Sequence, residues 1–150
     1  MVTFIGEYTA KLDDKGRVVF PSAFKNLLPS DADQRFVIKK NMFLGCLDMY
    51  TYAEWEKQSA EIYSKLNKFN KKHAAFWDRY TRDRDVVIPD AKLGRLSIQK
   101  NLLDSIGVTK EVVFAGKDFK IQIWDKDSYK AAALSDDEFL EIADELSQQR

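Results

Sequence analysis

Two short charged turns contain the residues whose types and spacing best suit recognition chemistry. In the first turn, Asp13 and Arg17 stand four residues apart around Gly16. At that spacing a carboxylate can brace the guanidinium or the backbone N–H groups of the turn. Lys11 and Lys15 lie beside them, and cations held at a projecting turn suit contact with phosphates or with the O6 and N7 atoms of guanine. The alternative is that the aspartate and the arginine form only a local salt bridge.

The second turn repeats the first farther along the chain. Gly94 and Arg95 lie 78 positions after Gly16 and Arg17, and the residues that follow each arginine align without a gap over about one further helix. A long repeat that occurs only twice does not form a solenoid, so it predicts two pseudo-equivalent halves packed as one domain. We place the halves at 1–70, which includes a long helix, and at 71–150, which has a linking helix and an acidic C-terminal helix.

Local patterns predict the elements that position these turns. Alternation of apolar and polar residues over 7–12 and the apolar run at 18–20 flank the first turn, which is typical of a β-hairpin with a charged tip. Capping-box residues at Thr51 and Ser135 predict the starts of a long helix and of a short amphipathic C-terminal helix. A further helix over about 74–80 is expected to link the halves, and the linking helices are expected to cover them.

Charge is balanced over the whole chain but not along it. The 150 residues carry 24 basic and 24 acidic side chains. Between Lys65 and Arg84 there are seven bases and two acids, whereas 135–150 contains six acids and one base. The basic segment can attract phosphate or form a solvated helix face, and the acidic helix can dock on a basic neighbour or stay exposed to water.

Catalysis and metal binding have little support in the sequence. His73 is the only histidine and Cys46 the only cysteine, so no catalytic triad and no Cys/His metal cluster can be assembled. Gly16 and Gly94 are single glycines rather than a phosphate-binding G-x-G-x-x-G loop. We therefore expect a protein with no catalytic residue, no metal and no cofactor. The absence of an apolar run of about 18 residues and the single cysteine indicate a cytoplasmic protein with no membrane partner.

A set of residues spread over nearly the whole chain resembles the MraZ family. That family comprises bacterial transcriptional regulators of the division and cell-wall gene cluster and is related to AbrB-like swapped-hairpin DNA-binding proteins. The resemblance implies an α+β fold. In it, two tandem swapped-hairpin units form a small barrel-like sheet core, with connecting helices and a C-terminal helix. The residues that carry the resemblance are Gly6-Glu7-Tyr8, Leu12 to Val18, Pro21, Phe24, Cys46-Leu47, Tyr50, Trp55, Gly94-Arg95 and Ile121-Gln122-Ile123-Trp124.

The resemblance also implies a function and a set of site residues. The family motif is an aspartate followed four positions later by an arginine that contacts DNA, and Asp13 with Arg17 matches it. In the second half Asp90 lies five positions before Arg95, so either the longer turn still allows the brace or the brace is lost. The resemblance assigns DNA contact to Lys15, Arg17, Lys92 and Arg95, and the cations at the first turn add Lys11 to the predicted DNA-binding residues. The residues predicted to brace the turns are Asp13, Gly16, Asp90 and Gly94.

The implied protein is a nucleoid-associated regulator rather than an enzyme. The resemblance predicts a repressor of its own division and cell-wall gene cluster that binds direct repeats in promoter double-stranded DNA as a ring-shaped homo-oligomer. The alternative is a ring-forming scaffold that binds proteins and not DNA. Salt distinguishes them, because phosphate contacts weaken steeply with ionic strength and an apolar protein interface hardly responds.

Overall fold

The computed structural model describes residues 2–149, in which the chain forms eight β-strands and six α-helices. In chain order the elements are β1 (Glu7–Lys11), β2 (Arg17–Val19), α1 (Ser22–Lys25), β3 (Phe36–Lys40), β4 (Leu47–Thr51), α2 (Tyr52–Ser64), α3 (Lys71–Tyr80), β5 (Arg84–Val87), β6 (Arg95–Ser97), α4 (Lys100–Ser105), β7 (Glu111–Gly116), β8 (Ile121–Asp125), α5 (Lys126–Ala131) and α6 (Asp136–Ser147).

The order of elements occurs twice, which confirms a mixed α+β fold built from a repeat. Two strands, a short helix, two strands and a helix form β1 to α2, and the same order returns from β5 to α5. Helix α3 joins the two sets and α6 follows the second. The predicted division after residue 70 falls between α2 and α3 and stays a prediction.

The main sheet mixes strands from both halves. It has six strands in the order β1-β7-β8-β4-β3-β5, and each neighbouring pair is antiparallel. The first strand of each half pairs inside the other half, β1 with β7 and β5 with β3. Among residues 2–149 these pairings leave β1 and β5 as open edges, so they do not close the sheet into the expected barrel.

A second sheet consists of β2 and β6 alone, and it corrects the predicted hairpin. The chain does reverse between β1 and β2, but β2 pairs with β6 of the other half. A turn sequence fixes the reversal of the chain, whereas the partner of a strand depends on which apolar side chains are buried together. Val18 and Leu96 lie opposite each other in this pair and are both buried. We call β2 and β6 the central ribbon.

The core lies between one face of the main sheet and the inner face of the central ribbon. Phe20, at the end of β2, packs against Phe36 of β3 and Phe114 of β7, with ring centroids 5.2 and 5.8 Å apart. Phe24 of α1 meets Phe4 edge to face at 5.4 Å. Aromatic pairs at these distances combine large buried areas with defined geometry. The ribbon and its two turns are therefore held on a rigid base.

The longer helices bury less than expected. No residue of α2, α3 or α6 is buried, so these helices cover the two halves incompletely. Helices α2 and α3 contact each other where the rings of Tyr63 and Trp77 lie 4.9 Å apart. The predicted caps are present, since the side chains of Thr51 and Ser135 accept hydrogen bonds from the backbone three residues on. None of the helices within 2–149 is long and apolar enough to span a membrane.

Candidate nucleic-acid interface

The first turn holds Arg17 through one carboxylate. Asp13 Oδ1 accepts hydrogen bonds from the backbone N–H groups of Lys15 at 2.9 Å and Arg17 at 2.8 Å, and Oδ2 accepts from Arg17 Nε at 2.7 Å. The backbone N–H of Arg17 and then its guanidinium lower the pKa of Asp13 below the ordinary value of 3.8. Gly16 has a φ of 75°, which a residue with a side chain adopts only under strain. The turn is preorganised before any ligand arrives.

The second turn holds Arg95 in the same way although it is one residue longer. Asp90 Oδ2 accepts from Arg95 Nε at 2.9 Å and from its backbone N–H at 3.1 Å. Asp90 Oδ1 accepts from Leu93 at 2.7 Å and from Lys92 at 3.1 Å. The pKa of Asp90 is lowered, first by the backbone N–H of Leu93 and then by the Arg95 side chain. The extra residue supplies one more donor, so of the two alternatives the structure has the braced turn.

The central ribbon brings the two arginines together. In its register Arg17 lies opposite Ser97 and Arg95 lies opposite Val19, so the arginines are diagonal neighbours on adjacent strands. Diagonal positions on one face of an antiparallel pair are about 7–8 Å apart, and their Cβ atoms are somewhat closer. Since the alternating residue Val18 points into the core, both arginines lie on the opposite, solvent-facing side. Residues 78 positions apart thus share one surface, which we call the arginine face.

The chemistry left available on the arginine face is directional. Both arginine side chains are 30% exposed. Among residues 2–149, the hydrogen bonds of each guanidinium to protein use Nε, so the paired terminal nitrogens Nη1 and Nη2 remain for a ligand. That fork matches the O6 and N7 acceptors of guanine or two phosphate oxygens. The carboxylates of Asp13 and Asp90 also offset part of the positive charge of the two arginines. The fixed orientation of the guanidinium groups therefore contributes more to the recognition of a ligand than their net charge does.

The predicted lysines are spread around the ribbon rather than gathered on it. Lys92 is exposed in the second turn. Lys11 and Lys15 line a groove between the first turn and α4, whereas Arg17 and Arg95 border a separate shallow depression. The structure therefore brings together the two arginines and places the lysines at the sides of the ribbon.

Sequence reasoning missed one cation. Lys25, at the end of α1, places its Nζ 3.8 Å from where a Cβ on Gly94 would stand. At the other turn the Cβ position on Gly16 meets Leu103 Cδ1, also at 3.8 Å. The repeat alignment pairs Lys25 with Leu103, and that pairing was the available signal. The second turn thus has a lysine where the first has an apolar side chain.

The groups outside this surface have structural roles. Cys46 is fully buried one residue before β4, and burial raises the pKa of its thiol to about 12, so the reactive thiolate is suppressed. His73 Nδ1 accepts a hydrogen bond from the backbone N–H of Asn67 at 2.8 Å. Within 2–149, no group of three or more His, Cys, Asp or Glu side chains is placed to hold a metal ion.

Comparison with known proteins gives one consistent result. The family model described as "MraZ protein, putative antitoxin-like" matches residues 3–79 and 85–149. The transcriptional regulator MraZ of Flavobacterium psychrophilum is 38% identical, over 97% of this chain and 92% of its own. Proteins of the same name are 37% identical in Christiangramia forsetii, over 97% and 94% of the two chains, and 33% identical in Bacteroides thetaiotaomicron, over 97% and 93%.

Proposed function

Because this chain belongs to the MraZ family, whose members are transcriptional regulators and not enzymes, we propose that it is a sequence-specific DNA-binding regulator. Its target is promoter double-stranded DNA in the cytoplasm, as part of the nucleoid, and it represses its own division and cell-wall gene cluster. The observation that carries the proposal is the arginine face, where two aspartate-braced guanidinium groups point away from the core on one rigid ribbon.

The two arginines contact base edges in the proposed complex. A guanidinium that is already oriented loses little conformational freedom on binding, and its free fork can donate two parallel hydrogen bonds to guanine. The neighbouring carboxylates of Asp13 and Asp90 disfavour loose phosphate contact at the same spot. As diagonal neighbours, Arg17 and Arg95 are about 7–8 Å apart or somewhat less at Cβ, which is about two base-pair steps at 3.4 Å each. One copy therefore contacts a short stretch of one DNA groove.

Lysines beside the ribbon contact the backbone in this arrangement. Lys15 and Lys92 extend from the turns, Lys25 reaches the second turn from α1, and Lys11 lies at the end of β1. Contacts of lysine with phosphates fix the position of a protein on DNA without reporting sequence, and they make binding weaken with salt. The arginines are thus the source of specificity and the lysines the source of sequence-independent affinity.

Direct repeats suit a protein whose two turns differ. The turns are related by a pseudo-twofold axis through the ribbon, but Val19 on one strand corresponds to Ser97 on the other, and Lys25 corresponds to Leu103. One copy therefore presents an asymmetric face, and copies related by a rotation in a ring meet successive elements of one orientation. We propose that a ring-shaped homo-oligomer binds several direct repeats, since linked sites act at high effective concentration.

Fluorescence anisotropy tests this function most simply. The purified protein is titrated into a labelled duplex from the region upstream of its own gene at two salt concentrations, with Arg17→Ala alongside. We expect tight binding by the wild type that weakens steeply with salt and is about 5- to 150-fold weaker in Arg17→Ala. A folded oligomer that does not bind the duplex, or that binds it equally well at both salts, would replace the proposal with the protein-binding scaffold.

A further inference from the structure

Helix α6 has an apolar stripe that the rest of residues 2–149 leaves exposed. Every residue from 131 to 149 is exposed, and the stripe contains four large apolar residues of the helix that are between 45% and 65% exposed. They are Phe139, Leu140, Ile142 and Leu146. Three of them follow helical spacing, so they lie along one side. An isolated helix of about 12 residues is marginal in water, so a surface that covers this stripe would stabilise the 12-residue α6.

A groove of matching chemistry lies between α3 and the loop that joins β3 to β4. Its apolar part comes from Met42 of the loop and from Ala75 and Phe76 of α3, and both larger side chains are exposed. Its polar part is mostly basic, with five cations against two carboxylates. The cations are Lys39, Lys40, Lys72, Arg79 and Arg82, and the carboxylates are Asp78 and Asp83.

Charge and polarity point to one occupant for this groove. Helix α6 carries six acidic side chains and no basic one. Helical geometry places Glu138 and Asp144 along the two borders of its apolar stripe. An apolar stripe with acidic borders complements an apolar groove with basic walls. Complementary charges favour this pairing over one between surfaces of like charge. In the same chain α6 is exposed throughout, so the helix that fills the groove comes from another molecule.

We propose that α6 of one copy docks in the groove between α3 and the β3–β4 loop of the next copy. The inference rests on the ring assembly of the proposed function and specifies which surfaces form it. Donor and acceptor surfaces differ, so the contact is heterologous and propagates from copy to copy until the ring closes. None of the groove residues belongs to the central ribbon or its turns, so assembly leaves the arginine face open.

Mixing two complementary variants tests the docking. The donor variant carries Phe139→Asp with Leu146→Asp in α6, and the acceptor variant carries Met42→Asp with Arg79→Glu in the groove. All four positions are on the surface, so both variants should still fold, which a cooperative thermal transition by circular dichroism checks. Their Tm is expected to be lower than that of the wild type, because association no longer stabilises them. Size-exclusion chromatography with light scattering then gives the mass of each sample without DNA. Phe119→Asp, which alters an exposed aromatic residue in the β7–β8 turn, is the matched control.

The expected masses are specific to head-to-tail docking. Wild type and the control form the same oligomer, each variant alone is a monomer, and an equimolar mixture forms a dimer and nothing larger. The dimer arises because only the α6 of the acceptor variant and the groove of the donor variant remain intact. An acceptor variant that keeps the wild-type mass, a mixture that stays monomeric, or a monomeric wild type would each overturn the proposal. DNA binding and its weakening in Arg17→Ala are measured separately, so failure of the docking and failure of the regulatory function are distinguishable.

Discussion

The turn from Asp13 to Arg17 and the turn from Asp90 to Arg95 hold their arginines alike, although the second is one residue longer. The Nε–Oδ2 distances are 2.7 and 2.9 Å, and the two arginines are equally exposed. In both turns one carboxylate accepts hydrogen bonds from backbone N–H groups and from the Nε of the arginine. The comparison shows that the brace depends on where the aspartate finds donors and tolerates a change in spacing.

The surroundings of the two turns differ more than the braces do. Gly94 has the ammonium of Lys25 nearby, whereas Gly16 faces the apolar Leu103. Opposite the arginines, the ribbon has Ser97 at one end and Val19 at the other. The repeat therefore kept the part that orients each arginine, whereas the exposed residues beside the arginines, Val19 and Ser97, differ between the two strands. Different neighbours are the pattern expected if the two turns contact different bases.

The largest expected effect comes from removing both arginines. If each contacts one guanine, each loss costs about 1–3 kcal/mol, so Arg17→Ala with Arg95→Ala should weaken binding to the promoter duplex by about 30-fold or more. Arg35→Ala is the matched control, because Arg35 is also held by an aspartate, Asp33, but lies outside the ribbon. Fluorescence anisotropy measures the affinity of the wild type, the double variant and Arg35→Ala for the promoter duplex. A double variant that binds as tightly as Arg35→Ala would end the claim for the arginine face.

Alanine substitutions at the turn glycines should lower the Tm equally, because the backbone strain is the same in both turns. Gly16 and Gly94 have φ of 75° and 67°, and an added Cβ would find its nearest neighbour at 3.8 Å in both cases. Alanine should therefore cost only the left-handed conformation, about 1–2 kcal/mol, or a fall in Tm of about 2–8 °C at either site.

Gly45→Ala provides the baseline for that comparison. A Cβ at Gly45 would meet nothing within 4 Å, and its φ is not in the strained range. Its Tm by circular dichroism should match the wild type. A fall at Gly16 that is absent at Gly94 would mean that the longer turn relaxes where the shorter one cannot.

Neutralising the braces should reduce specificity more than affinity. Asp13→Asn and Asp90→Asn keep an acceptor for the backbone but remove the ion pair that orients the guanidinium group. Loss of a negative charge also favours nonspecific phosphate contact. We therefore expect the ratio of affinities for the promoter duplex and a scrambled duplex to fall equally in both variants. An unchanged ratio would mean that the carboxylates only stabilise the fold of the turns.

The smallest effect concerns pH. The pKa of both Asp13 and Asp90 is below the ordinary 3.8 in the folded protein. The stability that the ionised braces provide is therefore complete above about pH 4 and is lost as pH falls through the lowered folded-state pKa. The Tm difference between the wild type and the Asp13→Asn, Asp90→Asn double variant should be constant from pH 5 to 8 and shrink below pH 4. A difference that already varies between pH 6 and 8 would point to another group.

The sequence was sufficient to predict the repeat, the two turns and the helix caps. The repeat is visible as similar residues in the same order, and each turn or cap depends on residues that are close in the chain. It misread the first hairpin since the partner of β2 is β6, 78 positions away, and only the burial of Val18 against Leu96 selects that pairing. The brace by Asp90 was left open because a spacing rule does not count the backbone donor of Leu93. Lys25 was missed because its approach to Gly94 depends on how α1 packs across the halves.

Base-by-base binding profiles test the central claim most directly. Wild type, Arg17→Ala and Arg95→Ala are each titrated against a set of duplexes in which every base pair of one promoter repeat is changed in turn. Each variant should lose discrimination at one base pair, the two base pairs should differ, and the other positions should keep their wild-type penalties. An Arg95→Ala protein whose profile is that of the wild type would show that only the first turn contacts bases and would contradict a shared arginine face.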